Sequence, residues 1–303
     1  MLALVHPFEM YDARITMTAA SPVLHSTHSA AGSIAFIGGG NMARSLIGGL
    51  LAQGFDASNI HVAEPVDALR RALAEDFDVH VHETASDAVE DADLWLLAVK
   101  PQVMRRVCAS LTDAARARRP LVVSIAAGIT ATQLQRWLGH DVAVIRSMPN
   151  TPALLGAGVT GLYATPQVDA ESRKRTERLL ATAGKTVWIE QEAQMDAVTA
   201  VSGSGPAYVF LLAEAMQDAA RAQGLPDDAA RTLVLQTVLG AARMLTESDA
   251  DPTELRRRVT SPNGTTQAAI ETFQAGGFEA LVAEAIDAAA ERGRQLSAAN
   301  DNP

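Results

Sequence analysis

The sequence has few aromatic residues, few cysteines, few positive charges and no long apolar run. Lys and Arg number 25 against 35 Asp and Glu, and this net charge of -10 disfavours binding to nucleic acid or to anionic membranes. The single cysteine, Cys108, cannot form an internal disulfide, so we expect a reducing, cytoplasmic compartment. No apolar run is long enough to span a bilayer. The predicted partners therefore include neither nucleic acid nor a membrane.

The composition and the hydrophobic pattern predict two globular domains after a leader. Hydrophobic residues make up 48% of the 303 residues, which is enough for two cores, whereas aromatics make up only 4%. Residues 1–32 show no strong period and no signal-peptide features, and we predict a disordered leader there. We predict a dinucleotide-binding domain over 33–192 and a helical substrate and dimerisation domain over 193–303. Cys108 lies in a helical apolar pattern and is predicted to be buried.

A glycine-rich turn follows the first apolar run, 33–37. Gly38 permits a tight turn, Gly40 lets a pyrophosphate approach the backbone, and Ala43 allows close packing of helix on strand. A helical period follows the turn, and another strand pattern follows at 59–63. This context predicts a coenzyme site formed by Gly38, Gly39, Gly40, Asn41, Met42 and Ala43.

The alternation of strand and helix continues to about residue 190 and predicts a Rossmann-type, doubly wound parallel sheet. Glu64 ends the second strand, where an acid usually accepts hydrogen bonds from a ribose 2′-hydroxyl. Because parallel sheets bind ligands at their carboxyl ends, we expect further coenzyme contacts at two other strand ends. These are Ala98, Val99, Lys100 and Pro101 on one strand and Ala126, Ala127 and Gly128 on the next. His80 and His82 share a strand face, and with no third ligand nearby they are predicted to be surface residues; no metal site is predicted.

From Asp196 onward the pattern is helix after helix. Ala-rich helical runs at 207–223, 227–246 and 282–296 suit close helix packing against a second copy of the chain. The apolar stretch 209–212 covers nearly all sides of its helix, which predicts burial on more than one side. The stretch 261–266 breaks the chain and places two hydroxyls at a helix start, where backbone amides suit a small anion such as a carboxylate.

Taken together, these motifs resemble the pyrroline-5-carboxylate reductase family. The resemblance covers about 33–296, and its most specific parts are the stretches 202–208 and 261–266. It implies reduction of 1-pyrroline-5-carboxylate to L-proline by hydride transfer from NADP(H) or NAD(H). It also implies an all-helical C-terminal dimerisation domain, a homodimer, and allows a larger ring of dimers. The substrate residues that it implies are Asp249, Ser261, Asn263, Gly264, Thr265 and Thr266, with Thr266 as the catalytic residue that contacts the ring nitrogen.

The chain departs from many relatives at the coenzyme and substrate positions. Glu64 replaces a small hydroxyl residue, which leaves the choice between NADH and NADPH open. Arg70 and Arg71 follow in the next helix, and Glu64 can rotate outward, so we expect both coenzymes to work, with NADH favoured more than in relatives. Asn263 stands where Gly is usual and Asp249 where Glu is usual.

Two other functions compete with the one that the resemblance implies. A 3-hydroxyacid-type NAD(P)-dependent dehydrogenase shares the opening motif but usually needs a lysine in the helical half. The lysines are Lys100, Lys174 and Lys185, and none lies there. A non-catalytic dinucleotide-binding protein would have no use for the hydroxyl-bearing turn at 261–266.

Overall fold

The computed structural model describes residues 32–139 and 141–300, so the predicted leader lies outside the described residues except for Gly32. Eight strands of the described residues form one sheet. They are β1 (Ile34–Ile37), β2 (Ile60–Ala63), β3 (His80–His82), β4 (Leu94–Leu97), β5 (Leu121–Ser124), β6 (Ala143–Met148), β7 (Gly158–Ala164) and β8 (Gly184–Trp188). The Rossmann-type fold predicted from the alternating pattern is confirmed.

The strand order, β3-β2-β1-β4-β5-β6-β7-β8, reverses direction between β1 and β4. Open α/β sheets bind their ligands at such a switch point, outside the carboxyl ends of the strands. The sequence pattern predicts a parallel sheet, and the structure departs from this at one strand. β7 runs antiparallel to β6 and parallel to β8. The connection 149–157 contains only a 3-10 turn, Thr151–Leu155, and is too short for a parallel crossover.

In the part of the chain that the structure describes, seven α-helices connect or flank the strands: α1 (Asn41–Ala52), α2 (Asp67–Phe77), α3 (Ala85–Ala88), α4 (Pro101–Ser110), α5 (Thr112–Arg118), α6 (Ala131–Leu138) and α7 (Ala170–Ala181). Their ends follow local rules. Thr130 and Gln133 form a reciprocal capping box at the start of α6, and Pro101 occupies the first turn of α4.

The sheet is covered on both faces because successive side chains of each strand point to opposite sides. Phe36 faces one core with Leu46 and Ile47 of α1. Ile37 faces the other core with Trp95 and with Met104 of α4. Cys108 belongs to this second core, as predicted, and burial raises the pKa of its thiol to about 12.

The rest of the described chain is helical: α8 (Met195–Val198), a π-helical turn (Thr199–Gly203), α9 (Gly205–Ala222), α10 (Asp227–Glu247), α11 (Pro252–Arg258), α12 (Thr265–Ala275) and α13 (Phe278–Ala299). The burial predicted for 209–212 is not found within one chain, because Phe210 and Leu211 are each 66% exposed. No helix of the described residues is both long and apolar enough to cross a membrane.

Candidate active site

The predicted coenzyme residues meet at one edge of the sheet. Gly38 follows β1 and donates its N–H to the carbonyl of Ala63 at the end of β2 (2.9 Å). Its φ of 106° is one that side-chain-bearing residues rarely adopt, and an added Cβ would lie 2.7 Å from the carbonyl oxygen of Ala98, just beyond β4. Gly38 is therefore required by the fold itself, since it makes room for the neighbouring strand end.

No neighbouring protein atom requires a glycine at position 40. It stands at the N-cap of α1 with no side chain capping the helix, and a Cβ added there would meet nothing within 4 Å. A methyl group would thus fill only the space in front of a helix N-terminus, where backbone N–H groups favour a phosphate. This open, uncapped position fits the pyrophosphate of a dinucleotide.

Glu64 lies beside this turn, and its residue is only 7% exposed. One carboxylate oxygen accepts the N–H of Gly39 (3.2 Å) and the other accepts the N–H of Val66 (3.0 Å). Arg70, one of the two arginines in the next helix, donates to the main-chain carbonyl of Glu64 (2.8 Å). Two backbone N–H groups therefore hold the carboxylate next to the glycine-rich turn 38–43, which we call the fingerprint turn.

The turn after β5 is packed against the C-terminal helix. Gly128 has a φ of 71°, and a Cβ there would lie 3.2 Å from Cβ of Leu296 on α13. The side-chain amide of Asn300 donates to the carbonyl of Gly128 (3.1 Å). Ala126 and Ala127 precede this contact, and Ala126 follows the end of β5 at the same sheet edge. The small size of Gly128 is thus required by the packing of α13 against this turn.

A partly buried ion pair, which no local sequence pattern predicts, lies at the start of α6, just after this turn. Arg146 on β6 donates to Glu192 (2.8 Å), and the same Glu192 oxygen accepts the N–H of Ala131 at the start of α6 (2.6 Å). Nearby, burial raises the pKa of Asp196, an effect that the charges of Arg146 and Arg294 oppose. The partners Arg146 and Glu192 are 46 positions apart, so no local pattern reveals them.

The predicted substrate turn has the strained backbone that its residues suggested. Asn263 adopts a left-handed conformation (φ 59°), and its N–H donates to the side chain of Gln267 (2.7 Å). Gly264 donates its N–H to the carbonyl of Ser261 (3.0 Å), so this amide is already engaged. Helix α12 begins at Thr265 without a side-chain cap. Within the described residues, the amides of Thr265, Thr266 and Gln267 have no acceptor.

The substrate turn does not share hydrogen bonds with the coenzyme edge in one chain. Every hydrogen bond described for 261–266 stays within the turn or α12. Asp249 lies between α10 and α11, is exposed, and makes no described hydrogen bond or ion pair. The side-chain amide of Asn150 joins the carbonyl of Ser202 to the N–H of Val159 (3.0 Å each).

A third histidine, which the spacing of His80 and His82 does not predict, lies beside them. His61 on β2 pairs with His80 in the sheet register, and its Nδ1 lies 3.1 Å from Nε2 of His82. The rings stack, with centroids 5.0 and 5.3 Å apart. Among the described residues, no three His, Cys, Asp or Glu side chains are placed to hold a metal ion.

The fold and the uncapped glycine turn define an α/β dinucleotide-binding protein with an appended helical region. Two family models match: "NADP oxidoreductase coenzyme F420-dependent" over 33–128 and "Pyrroline-5-carboxylate reductase dimerisation" over 192–296. The pyrroline-5-carboxylate reductase of Pseudomonas aeruginosa is 54% identical over 264 residues, covering 87% of this chain and 96% of that protein. The Escherichia coli enzyme is 40% identical over 265 residues, covering 87% and 98%.

Solved structures agree. A pyrroline-5-carboxylate reductase from Coxiella burnetii matches with a TM-score of 0.85 and 40% identity, covering 88% of this chain and 98% of that one. The Plasmodium falciparum enzyme, solved with NADP bound, has a TM-score of 0.77 and 26% identity, covering 88% and 98%. This chain belongs to the pyrroline-5-carboxylate reductase family. It is accordingly an NAD(P)H-dependent oxidoreductase with a region for homo-oligomerisation, and the family resemblance seen in the sequence is confirmed.

Proposed function

We propose that this chain reduces 1-pyrroline-5-carboxylate to L-proline, with the substrate carboxylate on the start of α12 and the coenzyme at the carboxyl edge of the sheet. The observation that supports the substrate site best is the set of three backbone amides, of Thr265, Thr266 and Gln267, that have no acceptor within the described chain. A helix N-terminus with free N–H groups attracts a carboxylate. Ser261, Asn263 and Gly264 shape the turn that leads into it.

The coenzyme residues divide into those that the fold requires and those that the ligand requires. Gly38 keeps the strand ends together, Gly40 leaves space for the pyrophosphate, and Glu64 faces the ribose. Gly39, Asn41, Met42 and Ala43 complete the turn and the first turn of α1, while Ala98 to Pro101 and Ala126 to Gly128 flank it. When bound, reduced nicotinamide supplies the hydride that the imine carbon accepts.

The protein's own task is to position and polarise the imine. The amides at the start of α12 fix the carboxylate, and the Thr266 hydroxyl donates a hydrogen bond to the ring nitrogen. This bond stabilises the negative charge that develops on the nitrogen as hydride adds to the carbon. The nitrogen then takes the hydroxyl proton, and water returns a proton to the Thr266 oxygen. The net charge of -10 does not prevent anion binding, because short-range donors outweigh a screened net field.

The proposed assembly is a homodimer through the helices after Asp196, with a ring of dimers as the larger form. Large exposed apolar side chains on α9, α10 and α13 support it, among them Phe210, Leu211, Leu239 and Leu281. The proposal further includes a cytoplasmic setting, supported by the single buried Cys108, and no nucleic-acid or membrane partner.

The decisive experiment follows NAD(P)H oxidation by absorbance with purified protein and 1-pyrroline-5-carboxylate. We expect saturable turnover and formation of L-proline. A protein that binds either coenzyme yet does not reduce this imine would refute the proposal. Parallel assays with 3-hydroxyacids and NAD(P)+ test the competing dehydrogenase function, for which we expect no turnover.

A further inference from the structure

The carboxylate of Glu64 has little freedom to leave the coenzyme edge. Its two oxygens accept the N–H groups of Gly39 (3.2 Å) and Val66 (3.0 Å), one on each side of the strand end. Rotating the side chain outward would break both bonds and leave the Gly39 amide without its acceptor. The sequence alone had suggested that such a rotation is easy, and the geometry contradicts this. Glu64 therefore presents a fixed negative charge beside the second glycine of the fingerprint.

The two arginines that follow are already engaged by other groups. Arg70 donates to the main-chain carbonyl of Glu64 (2.8 Å) and to the carboxylate of Asp67 (3.2 Å), and it lies 3.9 Å from Glu83. Arg71 pairs with the second oxygen of Asp67 (2.7 Å). Two carboxylates, those of Asp67 and Glu83, thus pair with the two guanidinium groups at this corner. Neither arginine is available to a 2′-phosphate unless Asp67 releases it.

We propose that Glu64 makes this chain selective for NADH over NADPH, an inference that rests on the function proposed above. A carboxylate at the end of the second strand accepts a hydrogen bond from a ribose 2′-hydroxyl and repels a 2′-phosphate. Two like charges in contact at a partly solvated site cost about tenfold or more in affinity. Because the carboxylate is fixed and the arginines are occupied, this penalty is not relieved by movement.

The first test measures coenzyme binding without the imine, by titration calorimetry with NADH and NADPH. We expect NADH to bind about tenfold or more tightly. ADP-ribose and its 2′-phosphorylated form, used as competitors, should show the same ratio, which would assign it to the 2′ position. Equal dissociation constants for NADH and NADPH would overturn the proposal.

The variant Glu64→Gln removes the charge while keeping one oxygen that accepts a backbone N–H. We expect NADPH binding to improve about tenfold and NADH binding to change less than threefold. Glu75→Gln is the matched control, because it removes the same charge from the exposed side of α2, roughly 12 Å beyond Asp67 along the helix. It should leave the ratio of the two constants unchanged. An equal response to both variants would show that Glu64 is not the selector.

A second variant keeps the proposal testable if Glu64→Gln loosens the fingerprint turn. Asp67→Asn weakens the hold on Arg70 and Arg71, and we expect NADPH to bind about threefold more tightly while NADH is unaffected. No gain for NADPH would contradict the role assigned to the occupied arginines. Binding that discriminates between coenzymes without any imine reduction would refute the proposed function but not this inference, so the two failures are distinguishable.

Discussion

The two halves of the molecule bury their apolar side chains differently. In the sheet half, large residues such as Phe36 and Trp95 are fully buried by the helices on either face. In the helical half, Phe210 and Leu211 are each 66% exposed and Leu281 is 63% exposed. Burying one such side chain is worth about 1.5–3 kcal/mol. The sheet half thus completes its core within one chain. The helical half leaves much of its apolar surface exposed, and a second copy of the chain can cover it.

This difference in burial explains why the coenzyme residues are brought together within one chain, whereas the substrate turn makes only local contacts. The coenzyme edge is assembled by strand pairing and by α13, which packs Leu296 against Gly128. The substrate turn lies on helices that are largely exposed, and its hydrogen bonds are local. We therefore expect coenzyme binding to survive when self-association is lost, and catalysis to depend on it.

The largest expected effect comes from placing a charge on the exposed helical surface with Leu211→Glu. If a second copy covers this residue, an unpaired buried carboxylate costs several kcal/mol and the dimer dissociates. Light scattering should then give a monomer mass, and kcat/KM should fall about 100-fold or more. The NADH dissociation constant should stay within about threefold of the unchanged protein.

The matched control for this variant is Val187→Glu, on the exposed side of the edge strand β8, where Val187 is 50% exposed. The same change in the sheet half should leave both mass and activity nearly unaltered. A fully active monomer of Leu211→Glu would contradict the comparison between the halves.

The next prediction concerns Gly38 and Gly40 in the glycine-rich turn. Gly38 is required by the packing of the protein, whereas Gly40 leaves space for a ligand. Gly40→Ala adds a methyl group that meets no protein atom within 4 Å, so thermal stability should hardly change. If the pyrophosphate occupies that space, overpacking costs about 1–3 kcal/mol, or roughly 5- to 150-fold in coenzyme affinity. Calorimetric titration with NADH measures this loss of coenzyme affinity.

Gly38→Ala is the contrasting variant. Its φ of 106° and the contact with the Ala98 carbonyl mean that the added Cβ strains the protein itself. We expect the melting temperature to fall by several degrees even without coenzyme. If Gly40→Ala lowered stability as much as Gly38→Ala, the space before α1 would be a structural requirement rather than a ligand site.

Features that depend on neighbouring residues were predictable from the sequence. Apolar runs predicted the alternation of strands and helices in the sheet half, with β1 and β2 placed to within one residue, and Gly and Pro marked the turns. Two local signals were overlooked. The connection before β7 is too short for a parallel crossover. The stretch Asp251, Pro252 and Glu254 begins α11 in the way that caps favour, with the Asp251 side chain accepting the N–H of Glu254 (2.9 Å).

Features that depend on pairs distant in sequence were not predictable. The Arg146–Glu192 bridge and the contact of Leu296 with Gly128 exist only once the sheet and α13 have packed. Likewise, the substrate turn could be recognised by its residues, but which amides remain free could not. Gly264 donates its N–H to the carbonyl of Ser261, so the free donors begin with Thr265.

Thr266→Ala tests the proposed hydrogen bond between the Thr266 hydroxyl and the substrate. Losing one hydrogen bond to a charged or polarised group should reduce kcat/KM for the imine about tenfold or more, with coenzyme affinity nearly intact. Thr272→Ala is the control in the same helix, because the Thr272 hydroxyl only bonds back to the carbonyl of Ala268 (2.8 Å). It should have little effect. Equal losses in both variants would point to a general weakening of α12 rather than a contact with substrate.

The smallest expected effect concerns the stacked imidazoles at the sheet's edge. Burial, followed by the neighbouring imidazoles, lowers the pKa of His61, and Asp91 opposes this shift. Burial likewise lowers the pKa of His82, while Asp87, Glu90 and Asp91 oppose the shift. A lowered pKa means that the folded state favours the neutral ring. As the pH falls below about 6.5, the unfolded chain therefore takes up protons first, and the free energy of unfolding decreases.

The measurement is the melting temperature at pH 7.5 and 5.5, for the unchanged protein and for the double variant His61→Gln and His82→Gln. We expect the acid-induced drop to shrink by on the order of 1 °C in the double variant, because the groups that titrate differently on unfolding are gone. Identical drops would show that these rings do not link stability to pH. The cluster lies between β2 and β3, within the half that completes its own core. The same difference should therefore persist in the monomeric Leu211→Glu background, whereas an effect that disappeared there would place its origin at the interface between copies.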